Sequence, residues 1–125
     1  MALTKTNYVD KAEEVIGKIE KGYKGKPLLT TSKIRRILVT SATIYDKVRR
    51  GKGPLTEDEI ADVQFLRMKL VYEYGRGENG VRDFIDCANL IPEIKQIQDD
   101  RDKLIIFCKY LEALVAYHRF AGGND

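Results

Sequence analysis

Apolar side chains recur every three or four residues along most of the chain, and this spacing predicts helices. The first predicted helix begins at Val9 and ends near residues 22–25. A second follows the hydroxyl residues 30–32, which can cap its free amides, and it closes at residues 51–54. The apolar stripe of the first helix is Ala12, Val15, Ile16, Ile19 and Tyr23, and that of the second is Ile34, Ile37, Leu38, Ile44, Tyr45 and Val48.

A capping-box pattern marks the start of the third predicted helix. Thr56 stands at the cap and Glu59 at the third helical position, so the helix begins at about Glu57. Gly75 is predicted to end it in the left-handed conformation. A fourth helix follows Asn79-Gly80 (Val81, Phe84, Ile85 and Ala88 on one face), and Pro92 restarts the chain as a short extra turn or helix.

The last predicted helix begins near Asp99 or Asp100 and continues almost to residues 122–123. It is apolar on two sides, which is typical of a helix that is central to a bundle or shared with a partner. One stripe is Leu104, Phe107, Cys108, Leu111, Leu114, Val115 and His118, and the other is Ile106, Tyr110, Ala113, Tyr117 and Phe120. No segment alternates with period two for long, so the predicted fold is all-α. We expect a single compact bundle of five to six helices over residues 1–125.

Composition narrows the class of protein. A chain of 125 residues is long enough to bury a core as one domain. Cys87 and Cys108 lie in apolar periodic segments without metal-ligand spacing, which favours buried free thiols and a reducing compartment. The start of the chain lacks the apolar segment of a signal peptide, and no apolar run approaches a membrane span. We therefore expect a soluble, cytoplasmic protein.

Positive charge is concentrated in one stretch. Eleven of the 22 basic residues lie between Lys18 and Lys52, where only Glu20 and Asp46 oppose them, although the whole chain carries +3. A phosphate backbone is the commonest partner of such a patch, because its neutralisation releases condensed counterions. A solvated charged face without a specific partner is the alternative.

Helical geometry places much of this charge on one stripe of the second predicted helix. The stripe runs for about 26 Å, is basic at both ends and carries hydroxyls in the middle. Its members are Lys33, Arg36, Thr40, Thr43, Lys47 and Arg50. Arg49 and Lys52 extend it into the following loop, and Arg35 lies on its other flank. Because no aromatic residue is interleaved on it, we expect contact with a nucleic-acid backbone and no reading of bases.

Other residues permit more than one interpretation. His118, the single histidine, lies on an apolar stripe and is expected to be a core residue. Arg67 falls on a face that should be buried, where it either pairs with an internal carboxylate or reaches a ligand. Arg76 either grips a phosphate or is a solvent-exposed loop charge. The acidic residues 99, 100 and 102 are interpreted as helix caps and dipole partners. No catalytic residue, metal site or cofactor is predicted.

Three segments of the sequence form a recognisable set: residues 28–35 (LLTTSKIR), residues 70–76 (LVYEYGR), and residues 107–120 (FCKYLEALVAYHRF) with the glycines that follow. Together they resemble the small-subunit family of the type III-A (Csm) CRISPR interference complex. The resemblance covers nearly the whole chain, and it depends on the order of the three blocks and on the matching length, since no single motif is catalytic.

The resemblance implies a non-enzymatic role. Members of the family are helical bundles that stack in copies beside the backbone subunits and support the duplex of guide RNA and target RNA; other subunits, including the large one, complete the complex. The family's basic surface corresponds most directly to Arg35 and Arg76, whereas Lys33, Arg36, Lys47, Arg49, Arg50 and Lys52 come from the helical geometry alone.

Two alternatives belong to other classes. A helix-turn-helix DNA-binding regulator would use the second and third helices, but the acidic start of the third would repel phosphates. A small ribonuclease would need a paired acid and base, and the sequence does not indicate such a pair.

Overall fold

The chain folds into a helical bundle. The computed structural model describes residues 2–123, apart from the side chain of residue 23. Its helices are α1 (Tyr8–Lys18), α2 (Thr31–Val48), α3 (Glu57–Arg76), α4 (Val81–Cys87), α5 (Leu90–Lys95) and α6 (Arg101–Phe120), with a 3₁₀ turn at Tyr23–Gly25. No strand occurs within this described range. The predicted all-α class and the number of helices are confirmed.

The predicted end of the first helix, near residues 22–25, is wrong. α1 stops at Lys18 because Ile19 takes an extended conformation, with ψ of 158°. The chain then forms a tight loop in which Lys21 and Pro27 make an isolated antiparallel bridge. Gly22 donates a backbone hydrogen bond to the carbonyl of Lys26 at 2.7 Å. Tyr23, which the predicted stripe included, contributes a side chain outside the described residues.

The start of α3 is confirmed and its end is corrected. Thr56 accepts a hydrogen bond from the amide of Glu59, and the Glu59 side chain accepts one from the amide of Thr56, so the capping box is complete. Gly75 stays helical, and Gly77 is the left-handed residue, with φ of 67°. Arg76 therefore belongs to the last turn of α3 and not to a loop.

Helix α6 lies at the centre of the bundle, where it packs against α1 and α2, while α3 packs against α2, α4 and α5. One predicted stripe of α6 forms much of the core, including Leu104, Phe107, Leu111 and Leu114. The second stripe is divided, since Tyr110 is buried but Phe120 remains 85 % exposed.

The predicted core role of His118 is confirmed. Its side chain is fully buried, and Nε2 donates to the carbonyl oxygen of Leu29 at 2.6 Å, while Nδ1 has no hydrogen-bond partner among the described residues. Cys108 is also buried, and desolvation raises the pKa of its thiol to about 12. Cys87 is half-buried, and both cysteines are free thiols.

The interpretation of Arg67 as an internally paired residue is wrong. Its side chain is half-buried, and it forms no ion pair or hydrogen bond with any residue in the range 2–123. Arg101 is instead a buried and paired arginine: it is 8 % exposed and contacts Glu59 at 2.8 Å.

Candidate nucleic-acid interface

The basic stripe of α2 arises because the opposite side of the helix is needed for the core. Ile34, Ile37, Ile44 and Val48 are buried. With apolar residues at this spacing on one side, the polar residues are left at the seam with α3 and on the solvent side.

The first half of the predicted cationic row is paired with the protein's own carboxylates. Arg36 contacts Glu73 at 3.1 Å and Glu78 at 2.9 Å, and Glu78 also meets Arg76 at 2.8 Å and Lys33 at 3.8 Å. Burial alone would lower the pKa of Arg36, but its hydrogen bonds to Glu73 and Glu78 hold that pKa above its ordinary value. Three cations thus share two carboxylates, and most of their charge is compensated.

The charge on Glu78 is stabilised by the same cluster. Desolvation alone would raise the pKa of this carboxyl, but the hydrogen bond from Arg36 and the charges of Arg76 and Lys33 lower it below the ordinary value. Glu78 is therefore ionised at neutral pH, and its carboxylate compensates charge on Lys33, Arg36 and Arg76.

The remaining predicted cations of α2 and of the loop after it are exposed to solvent, and they are unpaired within residues 2–123 or make only long ion pairs. Arg35, Arg50 and Lys52 are exposed, and they form no ion pair with any residue between 2 and 123. Two neighbours make only long contacts: Lys47 lies 3.7 Å from Asp62, and Arg49 lies 3.6 Å from Asp46. The expectation of one uniform outward row therefore needs correction, because the strongest uncompensated charge lies at Arg35 and around the end of α2.

A buried arginine fixes the loop that carries part of this charge. Arg101 donates to three backbone carbonyl oxygens, one at the end of α2 (Val48 at 2.9 Å) and two in the loop that follows (Gly53 at 3.1 Å and Pro54 at 3.3 Å). The same guanidinium binds both carboxylate oxygens of Glu59 at 2.8 and 2.9 Å. Arg50 and Lys52 are consequently presented from a loop that is held at both ends.

Gly51 allows this close approach. A Cβ at position 51 would lie 2.6 Å from Cζ of Arg101, which is too close for a packed contact. The loop is held a second time where the amide of Leu55 donates to the carbonyl of Asp99 at 2.8 Å. Sequence reasoning missed Arg101, although the residue continues the buried spacing of Leu104, Cys108 and Leu111 and thus had a detectable signal.

The acidic residues next to Arg101 are used locally. The side chain of Asp100 accepts a hydrogen bond from the amide of Lys103 at 3.1 Å and caps α6, as predicted. In the described part of the chain, no group of three His, Cys, Asp or Glu side chains is placed to hold a metal ion.

Comparisons with known proteins agree on one family. Residues 4–124 match the family model described as Csm2 Type III-A. The CRISPR system Cms protein Csm2 of Streptococcus thermophilus is 46% identical over 123 residues, which is 98% of each chain. The protein of the same name from Mycobacterium tuberculosis (strain H37Rv) is 34% identical and covers 100% of this chain and 99% of its own. The one from Enterococcus italicus is 38% identical over 78% of this chain and 71% of its own.

Within residues 2–123, every helix falls short of the length and apolar character that crossing a bilayer requires.

Proposed function

Because the chain belongs to the Csm2 family and is thus a small subunit of a type III-A CRISPR complex, we propose that it is a non-catalytic subunit that binds RNA through the surface of α2. Its ligand is the guide RNA and the target RNA paired with it. The basic surface contacts phosphates and supplies affinity without reading sequence.

The exposed cations Arg35, Arg50 and Lys52, which form no ion pair within residues 2–123, are the observation that supports this proposal. Arg35 and Arg50 lie fifteen residues apart on α2 and the loop after it, a span of about 22 Å at the helical rise. Lys52 follows on the loop held by Arg101. Cations fixed in position lose less conformational freedom on binding than cations on a mobile arm, which favours preorganised contact with several phosphates.

The position of His118, the single histidine, is also consistent with a non-catalytic role. General acid–base cleavage of RNA needs a side chain within hydrogen-bonding reach of the reacting groups. His118 is fully buried and its Nε2 is occupied by Leu29. The residue is therefore unsuited to contact an RNA strand.

The partners that we propose are other Csm subunits, namely the backbone and large subunits, and further copies of this chain stacked along the RNA. Family membership supports association within the complex. Phe120 on α6 is 85 % exposed and leaves apolar surface outside the core, where a neighbouring subunit can pack. A cytoplasmic location follows from a role on guide RNA.

A matched pair of triple variants tests the RNA contact. Arg35→Ala/Arg50→Ala/Lys52→Ala removes three open cations, and Lys5→Ala/Lys95→Ala/Lys109→Ala removes three exposed lysines that lie elsewhere. Both change the net charge equally. On single-stranded RNA each lost contact should flatten the slope of log K against log salt by about 0.7, so we expect the first variant to lose about 2 units of slope and the second to lose little.

Equal effects of the two variants would contradict the proposed surface. Incubation of the purified protein with labelled RNA, with and without a chelator, tests the non-catalytic role separately. Turnover of the RNA under either condition would contradict it.

A further inference from the structure

Two aromatic rings on α3 face solvent. Phe65 is 50 % exposed and Tyr72 is 62 % exposed. They lie seven residues apart, or about 10.5 Å along the helix, on the same face. Met68 lies between them in sequence and is 59 % exposed. These three side chains are therefore not packed in the core of the bundle.

Each ring is accompanied by a cation from the next turn. Nζ of Lys69 lies 6.0 Å from the centroid of Phe65, and Cζ of Arg76 lies 5.9 Å from the centroid of Tyr72. Ring and cation thus alternate along one face of α3. This arrangement pairs a π surface with a positive charge at two successive places.

The stripe runs beside the basic stripe of α2. Lys47 pairs with Asp62, and Arg36 pairs with Glu73, so eleven residues separate the two contacts on both helices. The helices are therefore antiparallel and in a fixed register. Phe65 comes at the level of Thr43 and Ile44, and Tyr72 comes at the level of Ile37. This register places both rings at levels between Arg36 and Lys47, the two cations of α2 that contact α3.

We propose that this face of α3 is a stacking platform for unpaired bases of single-stranded RNA, whose phosphates lie towards the cations of α2 and α3. The inference rests on the proposed function and extends it from phosphate contacts with the paired RNA to base contacts with unpaired nucleotides of the same RNA. Stacking on an aromatic ring tolerates any sequence, because every base has a π face. A separation of about 10.5 Å corresponds to roughly three stacked steps of a strand, so the two rings take bases that are not neighbours.

Charge complementarity favours RNA over an apolar protein surface at this face. A protein that covered Phe65 and Tyr72 would also desolvate the cations beside them, which is costly without a counter-charge. A nucleotide offers both a base for the ring and a phosphate for the cation. The α2 stripe alone carries no aromatic residue, and the rings come from the neighbouring helix.

The test separates base contacts from phosphate contacts. The Phe65→Leu/Tyr72→Leu variant keeps apolar side chains but removes both π faces. Its binding would be measured to a mixed-sequence RNA single strand of about twelve nucleotides and to an abasic strand of equal length. For the base-bearing strand we expect affinity to fall roughly tenfold for each ring removed. For the abasic strand we expect the variant to bind as tightly as the unaltered protein. Phe120→Leu, at a ring that is 85 % exposed on α6, is the matched control and should change neither affinity.

Four outcomes would overturn the inference. If the variant binds both strands as the unaltered protein does, or if its affinity for both strands falls equally, α3 does not stack bases. The proposed function stands in either case as long as RNA binding remains steeply salt-dependent. If the variant keeps its RNA affinity but no longer co-purifies with other Csm subunits, the face docks protein instead. If the unaltered protein binds neither strand at any salt concentration, the proposed RNA contact fails together with this inference.

Discussion

Arg101 and Glu59 form a bidentate ion pair, with nitrogen–oxygen distances of 2.8 and 2.9 Å, that joins the start of α6 to the first turn of α3. Glu59 also completes the capping box by accepting from the amide of Thr56 at 2.9 Å. One carboxylate therefore serves both the cap and the pair. Since Arg101 binds three further carbonyls, this contact couples the end of α2, the loop and α3.

Loss of Arg101 should destabilise the protein strongly. Arg101→Met removes one partner of a largely buried pair and leaves the Val48, Gly53 and Pro54 carbonyls without their donor. We expect the free energy of unfolding to fall by about 3–5 kcal/mol, measured by urea denaturation. The control, Arg35→Met, changes an exposed arginine and should have little effect. A loss below 1 kcal/mol would show that water replaces the guanidinium at little cost.

The same pair should make stability depend on acid pH. The hydrogen bonds from Arg101 and from the amide of Thr56 lower the pKa of Glu59 to about 2. An unfolded glutamate titrates near 4.3, so the folded state favours the ionised form. The stabilisation is complete above about pH 5 and is lost as the pH falls from there towards 2.

A comparison with Glu59→Gln isolates this contribution. The variant cannot ionise at position 59, so its unfolding free energy should lack that part of the pH dependence. The difference in stability between the two proteins should be greatest near pH 6 and should narrow continuously down to pH 2. A difference that stays constant over this range would contradict the lowered pKa of Glu59.

The spacing of apolar residues was sufficient to predict the helices and much of the core, because burial of one helical face requires an apolar residue every three or four positions. It failed where a loop or terminus is fixed by tertiary contacts. The end of α1 is an example, since apolar residues continue beyond Lys18 while the chain bends into the loop closed by Gly22 and Lys26.

The charges were predictable in position but not in pairing. Helical geometry places Lys33 and Arg36 on the basic stripe, yet Glu73 and Glu78, which compensate them, are 37 or more residues away in sequence. Such a partner becomes visible only when the register of α2 and α3 is known. The aromatic stripe beside α2 was missed for the same reason, because Phe65 and Tyr72 belong to a different helix.

Two glycines should respond to alanine in opposite directions. At Gly75, within α3, an added Cβ would have no described atom within 4 Å apart from its chain neighbours and the backbone of its own helix. Gly75→Ala should therefore raise the unfolding free energy by about 0.5–1 kcal/mol, since alanine loses less backbone entropy in a helix. At Gly123, which is buried, a Cβ would overlap the imidazole of His118. Gly123→Ala should cost about 1–3 kcal/mol.

Thermal and urea unfolding of both alanine variants would measure the contrast. The Gly75 variant also checks the corrected end of α3, because alanine at a left-handed position would destabilise the protein. If Gly75→Ala instead destabilises the protein, Gly75 is the left-handed residue that ends α3.

Neutralising Glu78 should strengthen RNA binding. Its carboxylate meets Arg36 at 2.9 Å, Arg76 at 2.8 Å and Lys33 at 3.8 Å. Glu78→Gln removes the charge that these three cations share, while Glu73 remains to hold Arg36. With Lys33 and Arg76 released towards the phosphates, the slope of log K against log salt on single-stranded RNA should steepen by about 0.7 for each new contact.

The control for this gain is a carboxylate that does not restrain the basic stripe. Glu112 is exposed on α6 and forms no ion pair within the described range, so Glu112→Gln makes the same change in net charge at another place. If both variants tighten RNA binding equally, the gain is due to overall charge alone. A gain confined to Glu78→Gln shows that the paired cations of α2 and α3 are a reserve of RNA-binding charge, held back by one carboxylate.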